Sequence, residues 1–251
     1  MKSSQEPLLD VRDLSLSFGG LDVLREVSFT VRTGEILGVI GPNGAGKTTL
    51  FNVLSGVYRP SRGQVNLAGQ ELIGLRPNQI CRHGIARTFQ IVRPFATATV
   101  LQNVQIGAIF GRSGPRLNST ELAEVVQHTL EFVDLWSKRD QPASSLNWAE
   151  LKRLEVARAL AAKPKVLLLD ETFSGLTPTE TAWSMRLIRR IRDEAEVTVL
   201  WIEHVMKALM SVAERVIVLD YGLKIADGSV EEVINDPAVI EAYLGPQETA
   251  S

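Results

Sequence analysis

The chain has 251 residues, of which 45% are hydrophobic and 22% charged, enough to bury a substantial interior as one α/β domain or as a core with a small inserted lobe. Lys and Arg number 27 against 29 Asp and Glu, and a formal net charge of −2 leaves no basic excess to favour nucleic acid as a partner. Cys81 is the only cysteine, so no internal disulfide can form and a reducing compartment is expected. The polar stretch from Met1 to Pro7 lacks the apolar core of a secretory signal, and no apolar run approaches the ~20 residues a spanning helix needs, so any membrane span is expected from another subunit.

The runs Leu8 to Phe18 and Val23 to Val31 alternate apolar and polar residues, the pattern of half-buried antiparallel strands, with Gly19-Gly20 and Thr33-Gly34 as turns. Phe18 closes the first run, where its ring could stack on a flat heteroaromatic base or serve as ordinary core. The apolar run Ile36 to Ile40 then leads into Gly41-Pro42-Asn43-Gly44-Ala45-Gly46-Lys47-Thr48-Thr49 and a helix beginning near Leu50. This strand, glycine loop and helix fit the phosphate-binding spacing G-x-x-x-x-G-K-[ST]: glycines let successive N–H groups turn inward, and the helix start adds its positive dipole end. A polyphosphate is the natural ligand, with Lys47 reaching the β- and γ-phosphates and the Thr48 hydroxyl ligating Mg²⁺.

Beyond the loop, Pro60 to Gly63 and Ala68 to Gln70 read as turns around a short strand, Gln64 to Leu67. Ile85 to Phe89 reads as a strand delivering Gln90, which could ligate a metal, position a water or be a surface amide. From Arg93 to about Lys163 strand patterns give way to helical ones. One helix carries Leu122, Val125, Val126, Thr129, Leu130, Val133 and Trp136 on a face, with Asn118 and Glu121 as cap and N3 partner, and another runs from about Asn147 to Ala161. The unbroken apolar strand Val166 to Leu169 ends in Asp170-Glu171; an Asp there helps hold Mg²⁺ and a following Glu is placed to polarise an attacking water. Pro178 opens an amphipathic helix, and Val197 to Ile202 ends in Glu203-His204, on the sheet edge expected to carry Asp170 and Gln90. Arg215 to Leu219, Leu223 to Ala226 and two short helices to Leu244 read as a packing tail.

The ordered set Phe18, glycine loop, Gln90, Leu169-Asp170-Glu171 and His204, with a helical insertion between Gln90 and Asp170, resembles the nucleotide-binding subunit of an ATP-binding cassette transporter. The resemblance covers essentially the whole chain and implies an α/β fold: a phosphate-loop (RecA-like) core, residues 1–92 and 164–251, with an antiparallel β subdomain and a helical subdomain inserted at 93–163. It implies ATP and Mg²⁺ as cofactors. Phe18 would stack on adenine, residues 41–49 bind phosphate, and Thr48, Gln90 and Asp170 hold the metal, with Gln90 also coupling the lobes. Lys47, Glu171 as base, Gln90, and His204 as γ-phosphate contact would act in catalysis. Arg87-Thr88-Phe89-Gln90, Ile202-Glu203-His204 with Met206, Gly175-Leu176 and the ending Val239 to Gly245 are similar to ATPases of branched-chain amino acid importers; lipopolysaccharide-export and urea-import ATPases share much of the tail. The implied partners are transmembrane permease subunits, an external or periplasmic solute-binding protein and a second ATPase subunit, with no nucleic acid, at the cytoplasmic face of the membrane. A soluble ATP-dependent clamp would use the same head, but no long coiled insert or basic face is present.

Departures from the family pattern accompany the matches. Where such cassettes carry Leu-Ser-Gly-Gly-Gln or a close variant, this chain has Leu146-Asn147-Trp148-Ala149-Glu150, in register with the matching Lys152 to Arg158. Asn147 can cap a helix as serine does, whereas Ala149 is expected to put a methyl where backbone should meet phosphate and Glu150 to add charge near an anion. The nucleotide site served by this segment is therefore expected to be weakened, and a heterodimer with a second ATPase to be favoured over a homodimer. Thr172 stands where proline is usual, Thr177 where Asp or Asn is, and Val205 where the residue after the histidine is often acidic.

Overall fold

A computed structural model describes residues 6–89, 92–111, 115–172, 175–203 and 206–244. The two alternating runs pair antiparallel as β1 (Leu9–Phe18) and β2 (Leu21–Val31), from Leu9 opposite Val31 to Phe18 opposite Leu21. The next strand, β3 (Ile36–Ile40), leads through the glycine loop into α1 (Lys47–Leu54). The chain then returns to the other side of β1 as β4 (Arg62–Leu67) and a short β5 (Gln70–Glu71), giving a four-stranded sheet in the order β2-β1-β4-β5. Arg62 and Gly63 belong to β4 rather than to the turn expected there. Gly63, at φ 101°, lies so near the β1 backbone that a Cβ would stand 2.6 Å from the Arg12 carbonyl oxygen, so this glycine permits strand approach.

A short helix bounded by Pro77 and Gly84 but without apolar periodicity, α2 (Pro77–His83), precedes β6 (Ile85–Arg87). Helices α3 (Val100–Phe110), α4 (Ser119–Phe132) and α5 (Trp148–Ala161) follow, the last two capped by Asn118 and Asn147. At the crossing of α3 and α5 a Cβ on Gly107 would lie 2.2 Å from the Arg158 carbonyl oxygen, a separation only glycine tolerates. The rest of the chain forms β7 (Val166–Asp170), α6 (Pro178–Asp193), β8 (Thr198–Ile202), α7 (Met206–Met210), β9 (Arg215–Asp220), β10 (Leu223–Gly228), α8 (Val230–Ile234) and α9 (Pro237–Leu244).

Six of these strands make a second sheet, ordered β10-β9-β3-β8-β7-β6 and parallel except for β10. Apart from Thr198 at the start of β8 and Asp170 at the end of β7, the side chains of its central parallel strands β3, β7 and β8 are apolar because both faces are covered. Ile36, Ile40, Leu167, Leu169, Val199 and Trp201 point into a core shared with the helices, while Leu37, Val39, Val166, Leu168, Leu200 and Ile202 point into a core shared with α1 and the antiparallel sheet. The carboxyl ends of β3, β6, β7 and β8 therefore open on one edge, where ligands of open parallel sheets gather.

Candidate nucleotide-binding site

The glycine loop joins β3 to α1 through backbone that side chains would obstruct. Gly41 has φ 147°, and a Cβ on it would lie 2.0 Å from the Leu219 carbonyl oxygen; Gly46, at φ 101°, is the N-cap of α1 and packs against the Val23 carbonyl. The loop is thereby seated on β9 and the start of β2. Lys47 is buried, and its Nζ donates to the carbonyl oxygens of Gly41 at 2.7 Å and Pro42 at 2.8 Å. Burial pushes its pKa below the ordinary lysine value, opposed by Glu171 and Asp170 across the site. Asn43, Gly44 and Thr48 are exposed, whereas Ala45 is buried and Thr49 partly so.

Asp170 ends β7 with its carboxylate buried, Oδ2 accepting from Arg87 Nη2 at 2.7 Å. Glu171 follows in left-handed backbone, φ 47°, fixed by its N–H donating to the Ile202 carbonyl at 2.9 Å. A non-glycine residue held in that conformation stores strain that the surrounding strands must support, and such strain concentrates at functional positions. Thr172, which stands where proline is usual, is wholly buried, and its hydroxyl shares a 2.5 Å hydrogen bond with that of Thr88, tying the turn after the acids to the segment that follows β6. Gln90, His204 and Val205 lie outside the described residues. Thr48 and Asp170 line one cleft of about 840 Å³ together with Arg87, Phe89 and Phe110.

Phe18 is 45% exposed at the tip of the β1–β2 hairpin, meeting the Tyr58 ring edge-on at a centroid distance of 5.1 Å. That exposure removes the core reading. The altered segment before α5 differs from expectation in two respects. The Ala149 methyl is buried beside Leu176 and Trp183, so it faces α6. Glu150 closes a capping box, accepting from the Asn147 N–H, and accepts a hydrogen bond from the Lys138 ammonium at 2.5 Å. Although partial burial disfavours its charge, Lys138 and Asn147 outweigh that and hold its pKa below the usual glutamate range, so its charge is already compensated. Trp148 remains as the exposed departure, 48% accessible.

Two buried cations had no assigned role in the sequence reading. Arg87 occupies the last position of β6, where a charge inside an otherwise apolar strand signals a buried partner. Lys152 on α5 is wholly buried, with Trp148 stacked 4.8 Å from its Nζ; burial lowers its pKa, opposed by Glu155, Glu203, Glu171 and Asp170 in that order. The pairing of Lys152 with Glu155 at i, i+3 on the inward face of α5 was the available signal.

A glycine loop opening α1, a buried lysine behind it and two acids at the end of the adjacent core strand define a phosphate-loop nucleotide-binding domain. The family described as ABC transporter matches residues 24–174, and the one described as branched-chain amino acid ATP-binding cassette transporter matches residues 224–245. The chain belongs to the ABC transporter family, as an ATP-binding cassette. It is 39% identical over 250 residues to the high-affinity branched-chain amino acid transport ATP-binding protein BraF of Pseudomonas aeruginosa, spanning 95% of this chain and 98% of that one. Over 251 residues it is 38% identical to the LivG protein of the same description from Escherichia coli K12, covering 96% and 98% of the two chains. The lipopolysaccharide export system ATP-binding protein LptB of Acidithiobacillus ferridurans is 35% identical over 240 residues, 96% of this chain and 98% of that one. The fold superimposes on the ADP conformation of an ATP-binding cassette of an ABC transporter with TM-score 0.85 at 30% identity, covering 96% of this chain and all of the other.

Proposed function

We propose that this chain is the ATP-hydrolysing subunit of an importer for branched-chain or related amino acids, held at the cytoplasmic face of the membrane by permease subunits and served by an external solute-binding protein. The observation that carries the catalytic part is the convergence of Lys47, Thr48, Asp170 and Glu171 on one sheet edge. The substrate class is supported by the match at residues 224–245 and by the relatives BraF and LivG. Among the described residues no helix is long and apolar enough to cross a membrane, which fits a chain that borrows its span from partners. Val57, Phe89 and Phe110 expose apolar surface at the cleft between α2 and α3, a face suited to a permease segment.

The donor set suits Mg²⁺. No group of three or more His, Cys, Asp or Glu among the described residues could hold a metal alone, and Thr48 with Asp170 offers one hydroxyl and one carboxylate. Mg²⁺ characteristically takes few protein ligands and fills its shell with phosphate oxygens and water. When bound it would neutralise charge on the transferring phosphoryl group. Lys47 would exchange its loop carbonyl partners for β- and γ-phosphate oxygens. Glu171, in its fixed left-handed conformation, would orient the attacking water and take its proton. Gln90 and His204 are assigned to the metal shell and the γ-phosphate through the family pattern alone. Two copies of the cassette, or this chain and a second ATPase, would close on ATP and reopen after hydrolysis, the closed state being favoured because ATP bridges both chains.

Lys47→Ala should lose nucleotide binding, whereas Glu171→Gln should keep binding and lose turnover by a factor of about 10² or more, the scale of a general base. ATP affinity and phosphate release, measured for both variants, check the assignment; parental turnover in Glu171→Gln refutes it. In the membrane complex, stimulation of phosphate release by a branched-chain amino acid with its binding protein supports the substrate class, and stimulation by lipopolysaccharide instead rejects it.

A further inference from the structure

Arg87 is placed where one side chain can govern the geometry of the phosphate and metal site. Its side chain is 5% exposed, and its guanidinium joins three parts of the molecule. Nη2 donates to Asp170 Oδ2 at 2.7 Å, while Nη1 donates to Asn52 Oδ1 at 2.7 Å and Ser55 Oγ at 3.0 Å, at the far end of α1. Its carbon lies 5.8 Å from the centre of the Phe51 ring, also on α1, and 5.2 Å from that of Phe89, on the segment leading to Gln90. Nε, equally buried, has no hydrogen-bond partner.

The expense of that arrangement argues for a purpose. A buried ion pair is often no better for stability than well-packed apolar residues of similar volume, and an unpartnered buried N–H adds a cost. The fork of a guanidinium, unlike an ammonium, fixes direction at two partners simultaneously. Here those partners are the acid at the end of β7 and the helix whose first residues are Lys47 and Thr48.

We propose that Arg87 is a positioning residue for the metal and nucleotide site: by clamping Asp170 to α1 it fixes the separation and orientation of Asp170 relative to Thr48, so that the two present one matched set of oxygens to Mg²⁺. The proposal rests on the assignment of Thr48 and Asp170 to the metal shell. Arg87 commits Oδ2 of Asp170 and leaves the other oxygen for the metal's water shell. Its counter-charge also gives the buried carboxylate a direct ion-pair partner before the metal arrives. Outer partners of this kind orient the groups that face a metal and set its affinity.

The test uses the full chain and a fluorescent ATP analogue, titrated with and without Mg²⁺, so that metal dependence is read apart from turnover. Arg87→Met should raise half-saturating Mg²⁺ about tenfold or more while metal-free affinity for the analogue stays within about twofold. Arg87→Lys, which keeps the charge and loses the fork, should fall between parent and Arg87→Met. Asn52→Ala, which leaves the Asp170 pair intact and reduces the hydrogen bonding of Nη1 at the α1 end to Ser55, should raise half-saturating Mg²⁺ a few-fold, and it carries the test if Arg87→Met does not fold. Thermal unfolding monitored in parallel separates a stability loss from a metal effect. If the Arg87 and Asn52 variants melt earlier yet keep the parental Mg²⁺ dependence, Arg87 is only a structural ion pair and the proposal fails. Asp170→Asn serves as reference: if it shifts the Mg²⁺ dependence and the Arg87 variants do not, the positioning role alone is lost. If Asp170→Asn also leaves that dependence unchanged, the metal assignment falls and the positioning role with it.

Discussion

Phe18 exposes 45% of its surface at the tip of a hairpin whose second strand meets the glycine loop at Val23, although an aromatic closing an alternating strand would ordinarily turn inward. Its one ring partner, Tyr58, meets it at 73°, leaving a face of Phe18 for a planar ligand. Phe18→Ala should weaken ATP by about 1–3 kcal/mol, the range for losing an aromatic platform under a base, and leave inorganic triphosphate binding unaltered. Calorimetric titration with both ligands checks this; equal losses would mean that the ring supports the fold and not the base. Thr172 and Glu150 make a related point about departures from a family pattern. Each is compensated by a neighbour, Thr88 for the hydroxyl and Lys138 for the carboxylate, and neither partner adjoins it in sequence.

At the level of elements, helix starts are the most uniformly specified feature. Helices α3, α4, α5, α6 and α8 each begin with a side-chain cap and a reciprocal Gln or Glu at N3. In α6, Thr177 stands where an acidic or amide residue is usual; its hydroxyl accepts from the Glu180 N–H at 3.4 Å, and the Glu180 carboxylate accepts both the Thr177 N–H at 2.8 Å and its hydroxyl at 2.7 Å. The Thr177 N–H, then its hydroxyl, hold the Glu180 pKa below the usual glutamate range. A carboxylate depressed on folding contributes stability that is complete above its unfolded pKa and disappears as pH falls through the folded one. Glu180→Gln should therefore melt below the parent at pH 7, with the gap closing as pH drops beneath about 4. Melting curves across that range check the sign, and a gap that widens in acid would contradict it.

For the whole molecule, the two cores meet at the parallel sheet, so the glycine loop on β3 and the acids on β7 are fixed relative to one another by packing on both sides. The start of α5 lies elsewhere, and in a head-to-tail pair it would serve the other chain's nucleotide. With Ala149 turned toward α6 and Glu150 paired, the predicted weakness of that segment reduces to Trp148. We expect a heterodimer in which this chain supplies the competent glycine loop and acids. Trp148→Gly should then raise turnover several-fold in the chain alone, on the scale of relieving about 1 kcal/mol, and little in the complex with a second ATPase, whose own signature segment faces this chain's site. Phosphate release from both preparations decides the matter: no gain in the isolated chain, or an equal gain in both, removes the asymmetric arrangement.

Residues adjacent in sequence needed nothing more than the sequence to be read. The spacing from Gly41 to Thr48 and the apolar run ending in Asp170-Glu171 are local patterns whose chemistry follows from strand, loop and helix geometry, and the caps Asn118 and Asn147 announce their helices within four residues. Even the family was legible, because its motifs come in a fixed order. What tertiary structure alone decided was every pairing across distance: Arg87 with Asp170 and α1, Thr88 with Thr172, Lys138 with Glu150, the exposure of Phe18 and the inward turn of Ala149. The short helix α2 has a single buried residue, Ile80, and so no apolar periodicity to read; Pro77 at its start and Gly84 at its end are its sequence signals. A buried charge or hydroxyl is tolerable only when its partner arrives from another element, and the sheet order that brings β6 beside β7 is not written in either strand.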